Sequence, residues 1–178
     1  MTIPDHVVVD TNVATTANGQ NIGAPLDCVV ACGRALQHTM SRGHIYIDHG
    51  DGSSAIVHEY RQNLSASGQP GPGDAFLKWL LTHEWGGQRV TRVPITPKAG
   101  GPQDYEELPA PDDGTSFDPS DRKFLAVAAA HPSHPPILQA LDSKWWGWQK
   151  ALAPIGVTIH FLCPDAIKAK YAEKMGEP

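Results

Sequence analysis

The sequence predicts an α/β fold of three layers, α/β/α, in which a central and mostly parallel sheet lies between two layers of helices. Short apolar runs typical of buried strands, such as VVV at 7–9, alternate along the chain with amphipathic helical patterns. The chain has 178 residues, of which 40% are hydrophobic and 19% are charged. That length and balance are typical of one globular domain with a sizeable core, so we expect a single domain over 1–178.

The overall charge limits which partners the chain can attract. The formal net charge is −5, so the domain has no bulk attraction for nucleic acid. A phosphate-containing partner must therefore be held by a local basic patch or through a bound cation. No signal peptide and no apolar run of membrane-spanning length is visible, so we expect no membrane association and a cytoplasmic protein.

Three cysteines are present, and the pattern around them predicts free thiols in the core. Cys28 and Cys32 lie four residues apart in a helical pattern, and Cys163 stands alone. Free cysteine is among the most buried residue types. A zinc site needs further ligands at close spacing, which the sequence does not offer. An odd number of cysteines without a signal peptide favours a reducing cytosol.

The first half of the chain supplies three strands and three helices. The run at 7–9 predicts a buried strand that ends at Asp10, and TANGQNIG after it predicts a loop. A helix is predicted over 25–40, a strand over 45–48, a helix from Ser53 or Ser54, a helix over 74–85 and a strand over 90–95. We expect the 25–40 helix to bury Leu26, Val29, Val30, Leu36 and Met40, and the next helix to bury Ile56, Val57, Tyr60 and Leu64.

The second half begins with an acidic loop and completes the alternation. The segment at about 97–117 is rich in Pro, Gly and acidic residues, which predicts a long, mobile loop. Asp118 is the expected N-cap of the next helix, with Asp121 in its first turn. PPILQALD predicts a strand that ends at Asp142, and a Trp-rich helix, a strand over 157–164 and a closing helix follow.

Four carboxylates occupy positions where a site would form. Asp10 and Asp142 end predicted strands, while Glu59 and Asp121 lie near the first turns of helices. Parallel strands bring their carboxyl ends to one edge of the sheet, where ligands bind in open α/β folds. Clustered carboxylates repel one another unless a cation neutralises them, and oxygen ligands without His or Cys suit Mg²⁺ or Mn²⁺. Such an ion can assist the hydrolysis of a phosphodiester.

The motifs VVVDTNV, HEYRQNL, DRKFLAVAAAH and LQALDSKW together resemble the PIN-domain nucleases. The resemblance follows the chain in order over roughly residues 7–165. It implies a PIN-like three-layer fold and places the four acids of that family at Asp10, Glu59, Asp121 and Asp142. The polar residue often found in the first motif corresponds to Asn12.

The resemblance implies a Mg²⁺- or Mn²⁺-dependent endoribonuclease that acts on RNA, with these four carboxylates holding the metal. Asn12, Arg122 and Lys144 are the expected substrate contacts, although basic residues here could equally be solvated helix faces. Toxin members of the family imply a small protein antitoxin as partner, and dimers in the family imply a homodimer. Lys144 stands where many members have a further Asp, and the chain is longer than the compact toxins.

Other interpretations of the same residues remain open. Asp10 and Asp142 could each cap a turn or a helix, and Asp121 could favour the positive end of a helix that Asp118 caps. Glu59 could be a solvated carboxylate paired with Arg61 or Arg89. A non-catalytic PIN-like module that binds nucleic acid or protein is the main alternative function, favoured by Lys144 and by the acidic balance. A phosphatase or receiver-like α/β protein fits less well, because VVVDTN has a single acid and the last strand has no late Lys.

Overall fold

The computed structural model describes residues 2–50, 53–101, 103–111 and 113–175. Its sheet has five strands in the order β3-β2-β1-β4-β5, and every pairing is parallel. The strands are β1 (His6–Val9), β2 (His44–His49), β3 (Val90–Pro94), β4 (Ile137–Gln139) and β5 (Ile159–Phe161).

Seven α-helices flank the sheet in the part of the chain that the structure describes, which confirms the predicted three-layer α/β/α fold. They are α1 (Thr11–Ala17), α2 (Leu26–Ser41), α3 (Ala55–Asn63), α4 (Pro72–His83), α5 (Arg122–Ala130), α6 (Lys144–Leu152) and α7 (Pro164–Met175). A short 3₁₀ turn at Ala153–Ile155 follows α6.

The order of the strands makes the end of β1 the natural place for a site. The chain runs outward from β1 to β2 and β3, then returns to place β4 and β5 on the other side of β1. Val8 of β1 pairs with Ile137 of β4, and Val9 pairs with Leu138. The carboxyl ends of β1 and β4 therefore flank the topological switch point, where α/β sheets form their ligand crevice.

The central position of β1 explains its sequence. Val7, Val8 and Val9 are completely buried, because β1 has neighbours on both sides and helices on both faces. A strand buried on both faces shows a continuous apolar run, as this one does.

A short helix that the sequence did not predict follows β1 directly. α1 covers Thr11–Ala17, so the predicted loop begins later than expected. Valine and threonine have modest helix propensity, which hides so short a helix from a sequence pattern. Tertiary contacts stabilise it: Asp10 caps its start, and Val13, Ala14 and Ala17 are buried.

The buried face of α2 differs from the predicted one. Cys28, Cys32, Ala35, Leu36 and Thr39 are buried. Of the five residues expected to face inward, only Leu36 does so fully, while Leu26 is 78% and Val30 is 43% exposed. Small side chains line this face, which allows close packing, whereas hydrophobicity alone favoured the larger residues. The predicted inward face of α3, including Ile56 and Tyr60, is confirmed.

Two boundaries near the acidic residues also differ from those predicted. α5 begins at Arg122 with Asp121 at the N-cap position, so Asp118 is not the helix cap. Asp118 lies in the preceding turn, where its carbonyl accepts a hydrogen bond from the Asp121 amide. β4 ends at Gln139, three residues before Asp142. Asp142 therefore lies in the β4–α6 loop rather than at the end of the strand.

The described residues of the acidic loop are attached to the domain. Tyr105, Leu108 and Phe117 are buried against the core, and Pro97 forms an isolated antiparallel bridge with Tyr105. These anchors fix the course of the loop over the carboxyl edge of the sheet. The mobility expected of the segment stays a prediction.

The prediction of three free thiols was wrong for two of them. All three cysteines are buried, but Cys28 and Cys163 form a disulfide bond, with their Cα atoms 5.5 Å apart, and Cys32 remains a thiol. The bond joins the first turn of α2 to the segment between β5 and α7. Residues 135 apart in sequence meet only in the folded chain, so spacing could not reveal the pair.

Within the described residues, no helix has both the length and the apolar character that crossing a membrane requires.

Candidate functional site

Asp10 leaves the end of β1 at the centre of the carboxyl edge. It is the N-cap residue of α1, and its Oδ1 accepts a hydrogen bond of 2.7 Å from the Asn12 amide. The residue is only 4% exposed. The cap satisfies one oxygen of the carboxylate, which leaves the other available to a ligand.

Asn12 brings the second acid close to the first. Its Oδ1 accepts a hydrogen bond of 2.8 Å from the Leu141 amide, which attaches the β4–α6 loop to α1. This contact holds Asp142 beside the end of β1, with its side chain 28% exposed. The structure therefore gives Asn12 a positioning role, while the substrate contact predicted for it stays a prediction.

Glu59 reaches the same edge from α3. The hydroxyl of its neighbour Tyr60 donates a hydrogen bond to the carbonyl of Val9, which ties α3 to the last residue of β1. The carboxylate of Glu59 forms an ion pair with Lys123 of α5. An ion pair is thus present, as the structural interpretation of Glu59 required, but with Lys123, which is itself almost buried.

Asp121 approaches from the start of α5 and does not cap it. Although it occupies the N-cap position, its side chain makes no capping hydrogen bond. The residue is 8% exposed, and its Oδ2 lies 2.9 Å from Nζ of Lys144. Asp121 thus lies at the positive end of α5, as its structural alternative expected, while its carboxylate contacts Lys144 instead of capping the helix.

Lys144 lies among three carboxylates. Its Nζ is 2.7 Å from Asp118 Oδ2, 2.9 Å from Asp121 Oδ2 and 3.3 Å from Asp142 Oδ2. Asp118, which the sequence suggested only as a cap, thus belongs to the cluster. The D-P-S-D spacing was the signal that could have identified it, since it places two acids one turn apart before a helix.

Arg122 is directed away from this cluster. Its Nε donates a hydrogen bond of 3.1 Å to the Phe117 carbonyl, and its Nη1 lies 3.8 Å from Asp104 Oδ1. These contacts hold the acidic loop against α5. The structure accounts for Arg122 by this anchoring role, and its predicted substrate contact stays untested.

Burial, reinforced by neighbouring negative charges, raises the pKa of two of the carboxyl groups, Asp10 and Asp121. Burial raises the pKa of Asp10 well above its ordinary value, and the charges of Asp121, Glu59 and Asp142 raise it further. Burial likewise raises the pKa of Asp121 to about 6, despite the opposing effect of Lys144. In both groups, burial disfavours the charged form more than the nearby lysine and amide groups favour it.

In the two groups at the outer side of the cluster, Asp118 and Lys144, the pKa shifts favour the charged form. A hydrogen bond from Lys144 and further bonds from Ser120 lower the pKa of the half-exposed Asp118 to about 2. Partial burial opposes the charged form of Lys144, but hydrogen bonds to Asp118 and Asp121 outweigh it and raise its pKa. Lys144 is therefore a permanent cation of the cluster at neutral pH.

The cluster suits a hard divalent ion that keeps part of its water. Its donors are carboxylate oxygens alone, the ligand type of Mg²⁺ and Mn²⁺. Across the described ranges, the three cysteine sulfurs are the only set of three or more candidate ligands whose atoms all lie within 4.8 Å of one another. No three of the described carboxylates meet this criterion, so an ion here would be held directly by at most two of them and by water at its other positions.

The raised pKa values predict how the stability of the metal-free protein depends on pH. A carboxyl whose pKa is higher in the folded state stabilises the fold below its unfolded pKa of about 3.9 and loses this contribution as pH rises through the folded value. We expect the ionisation of Asp121 to lower the free energy of unfolding by on the order of 2 kcal/mol as pH rises from 4 to 7. Urea denaturation in EDTA should show that the advantage of Asp121→Asn over wild type grows across this range.

A stability difference between wild type and Asp121→Asn that is the same at pH 4 and pH 7 would contradict this prediction. Asp113→Asn is a suitable control, because Asp113 is fully exposed and hydrogen-bonded to Thr115 outside the cluster. Because hydrogen bonds to Thr115 lower the pKa of Asp113, the linkage has the opposite sign, and Asp113→Asn should gain no advantage over wild type as pH rises.

Two separate clefts reach the cluster, one at Glu59 and the other at Asp142. A cleft of about 790 Å³, here the loop cleft, lies between α3 and the acidic loop and includes Glu59, Lys123 and Tyr105. A second cleft of about 740 Å³ lies between the segment before α2 and α7, and Asn12 and Asp142 are in its wall. A polymeric ligand could therefore enter by one cleft and leave by the other.

Neither protein-family models, nor curated proteins, nor solved structures give a match to this chain. What the protein does must therefore be argued from the site itself.

Proposed function

We propose that the protein is a Mg²⁺- or Mn²⁺-dependent endoribonuclease that hydrolyses phosphodiester bonds. The observation that supports this proposal is the convergence of Asp10, Glu59, Asp121 and Asp142 at the topological switch point, with fewer positive charges than carboxylates around them. A site that is short of cations binds a divalent metal readily, and a bound metal lets an acidic protein hold a polyanion.

Asp10, Glu59, Asp121 and Asp142 would hold the metal, one or two of them directly and the others through water. When bound, the ion supplies polarisation of the phosphodiester and an activated water. The protein's own groups fix the arrangement: Asn12 holds the Asp142 loop, and Tyr60 holds α3 against β1. Lys123 and Lys144 lie where they can contact phosphate oxygens once the carboxylates are neutralised by the metal.

The alternative is a PIN-like module that binds nucleic acid or protein without cutting. Lys144 favours it, because its ammonium already bridges Asp118, Asp121 and Asp142 as a cation would. In that case the lysine would be the permanent counter-ion of the site, and no metal would bind.

Lys144→Ala should distinguish these possibilities. In a nuclease, the fixed ammonium competes with the metal, so its removal should tighten Mn²⁺ binding about tenfold or more, the effect expected of one unit charge a few ångström away. Titration calorimetry measures this directly. Lys150→Ala is the matched control, since Lys150 lies exposed on the same helix, and its affinity for Mn²⁺ should equal that of wild type.

Absence of Mn²⁺ binding in wild type and in Lys144→Ala would favour the non-catalytic module. Tightening by Lys150→Ala to the same extent would show that the effect is a general change in charge.

Cleavage of labelled single-stranded RNA tests the proposed function itself. Wild type and Asp142→Asn should be compared with Mn²⁺, with Mg²⁺ and with EDTA. We expect cleavage with either metal by wild type only, and none in EDTA. Equal cleavage by Asp142→Asn, or cleavage in EDTA, would contradict the proposal.

Further parts of the proposal concern partners and location. A small antitoxin and a homodimer follow from the family resemblance alone, whereas the cytoplasmic location was expected from the odd number of cysteines. The Cys28–Cys163 bond argues against a cytoplasmic location, because disulfides persist mainly in oxidising compartments. Size-exclusion chromatography of the purified protein, alone and from its native host, would test the partners.

A further inference from the structure

Trp85 presents an exposed aromatic surface beside the candidate site. It follows the end of α4, and 66% of its surface is exposed. The guanidinium of Arg92 lies over its ring at 4.0 Å from the centroid. Arg92 is itself held by Glu84 at 3.1 Å and by His49 at 3.4 Å. One face of the indole is thus supported by a fixed side chain, which orients the ring as a platform.

A pocket of about 260 Å³, here the Trp85 pocket, lies between this indole and α3. Its walls include Trp85, Arg92, Val57, His58 and Arg61. Arg92 is paired with Glu84, whereas Arg61 makes no ion pair with any described residue. The pocket therefore combines an aromatic surface, an apolar wall and an uncompensated positive charge.

Arg92 also has an unused hydrogen-bond donor. Its side chain is only 9% exposed, and its Nη2 has no hydrogen-bond partner among the residues that the structure describes. A buried donor without an acceptor is costly, so a ligand that supplies an acceptor here would remove a penalty. This observation is independent of the exposure of Trp85 and points to a ligand with an oxygen or nitrogen acceptor.

The Trp85 pocket continues into the loop cleft. The two share Ser53, Ser54 and His58 as wall residues, and the loop cleft extends to Glu59 and Lys123 of the candidate site. Arg61 and Glu59 are two residues apart on α3, so their side chains leave the helix on roughly opposite faces. The pocket and the carboxylates are therefore separated by about one helix diameter, 10–12 Å. A ligand that touches both must be a chain of several units rather than a single small molecule.

We propose that the Trp85 pocket binds an unpaired nucleotide of the RNA strand whose phosphodiester lies at the carboxylates. The base stacks on Trp85, the phosphate contacts Arg61, and Arg92 donates to an acceptor of the base or phosphate. A base inside a duplex cannot stack on a side chain, so this subsite selects single-stranded RNA. The inference rests on the proposed nuclease function, whose substrate it specifies.

Binding measured in EDTA tests this subsite without cleavage. We would use Asp142→Asn as the parent and measure the fluorescence anisotropy of a labelled oligouridylate and of the same length of duplex RNA. The parent should bind the single strand more tightly than the duplex. Trp85→Ala should weaken single-strand binding about 5- to 100-fold, as expected for loss of one stacked base, while Trp85→Phe should stay within a few-fold of the parent.

Two matched controls separate the subsite from general surface effects. Leu26→Ala removes another exposed apolar side chain, far along the sequence on α2, and should leave RNA affinity unchanged. Arg61→Gln should reduce the salt dependence of binding by about one phosphate contact, whereas Arg34→Gln, at an exposed position on α2, should not. Circular dichroism of each variant must match that of the parent.

The outcomes distinguish the subsite from the function. If wild type cleaves RNA but Trp85→Ala binds like the parent, the subsite is wrong and the nuclease stands. If Trp85→Phe loses as much affinity as Trp85→Ala, stacking is not the interaction, and the inference is also wrong. If wild type neither binds nor cleaves single-stranded RNA, the proposed function and the subsite are both overturned.

Discussion

Asp10→Asn should lower the rate of metal-dependent RNA cleavage at least about a hundredfold without harming the fold. Mutation of residues that hydrogen-bond to metal ligands typically lowers metal affinity or activity about 10- to 100-fold. Loss of a residue that itself holds the metal should lower activity by at least the upper part of that range. Asparagine keeps the oxygen that accepts the Asn12 amide, so the cap of α1 should survive. Burial raises the pKa of Asp10 because it disfavours the charged carboxylate, and asparagine removes that charge. The metal-free variant should therefore be as stable as wild type or more stable, by about 1 kcal/mol.

The combination of these two effects separates a ligand from a structural cap. Asp74→Asn is the matched control: Asp74 is equally buried, and its carboxylate accepts bonds from the Ser65 and Gly71 amides at the start of α4. We expect it to lose about 1 kcal/mol of stability and to keep its activity. Initial cleavage rates and urea midpoints in EDTA measure both quantities. If Asp10→Asn instead lost stability and kept activity, Asp10 would be only a cap.

Cys163→Ala should lower the free energy of unfolding by about 4 kcal/mol. The Cys28–Cys163 bond closes a loop of 135 residues, and loss of such a long cross-link releases much chain entropy in the unfolded state. For a chain of this length, that change corresponds to a fall of roughly 8–16 °C in the melting temperature. Differential scanning calorimetry under non-reducing conditions measures it.

Addition of a reductant identifies the origin of the effect. Reduction should bring the melting temperature of wild type close to that of Cys163→Ala and leave the variant unchanged. Cys32→Ala removes a buried thiol outside the bond, so it should cost only about 1 kcal/mol and should keep the response to reductant. A melting temperature of wild type that is insensitive to reductant would show that the bond does not form in solution.

Local patterns were enough to predict most of the elements. VVV at 7–9 predicted the central strand because a strand buried on both faces has no polar positions. The spacing of the apolar residues in α3 predicted its buried face, including Ile56 and Tyr60, because one face of this helix packs against the core. The same reasoning failed for α2, where the buried face is made of Cys28, Cys32 and other small residues that hydrophobicity does not mark.

The sequence also indicated three of the four acids by their places at the ends of elements, before any adjacency was known. Asp10 follows a strand, Asp142 follows another, and Asp121 precedes a helix, which are positions that parallel topology brings to one edge. Such positions are local properties, because they depend on where each element begins or ends. A chemical motif can therefore be identified from sequence when its residues are fixed to element ends.

The contacts between distant segments were decided by the tertiary structure alone. The pairing of β1 with β4, the location of Lys144 among three carboxylates and the Cys28–Cys163 bond all join residues far apart in the chain. Each depends on the order of strands in the sheet, which no local pattern encodes. The sequence by itself determined the fold class and which acids to consider. Only the packing placed the ammonium of Lys144 among those acids, because that contact joins the starts of α5 and α6 in space.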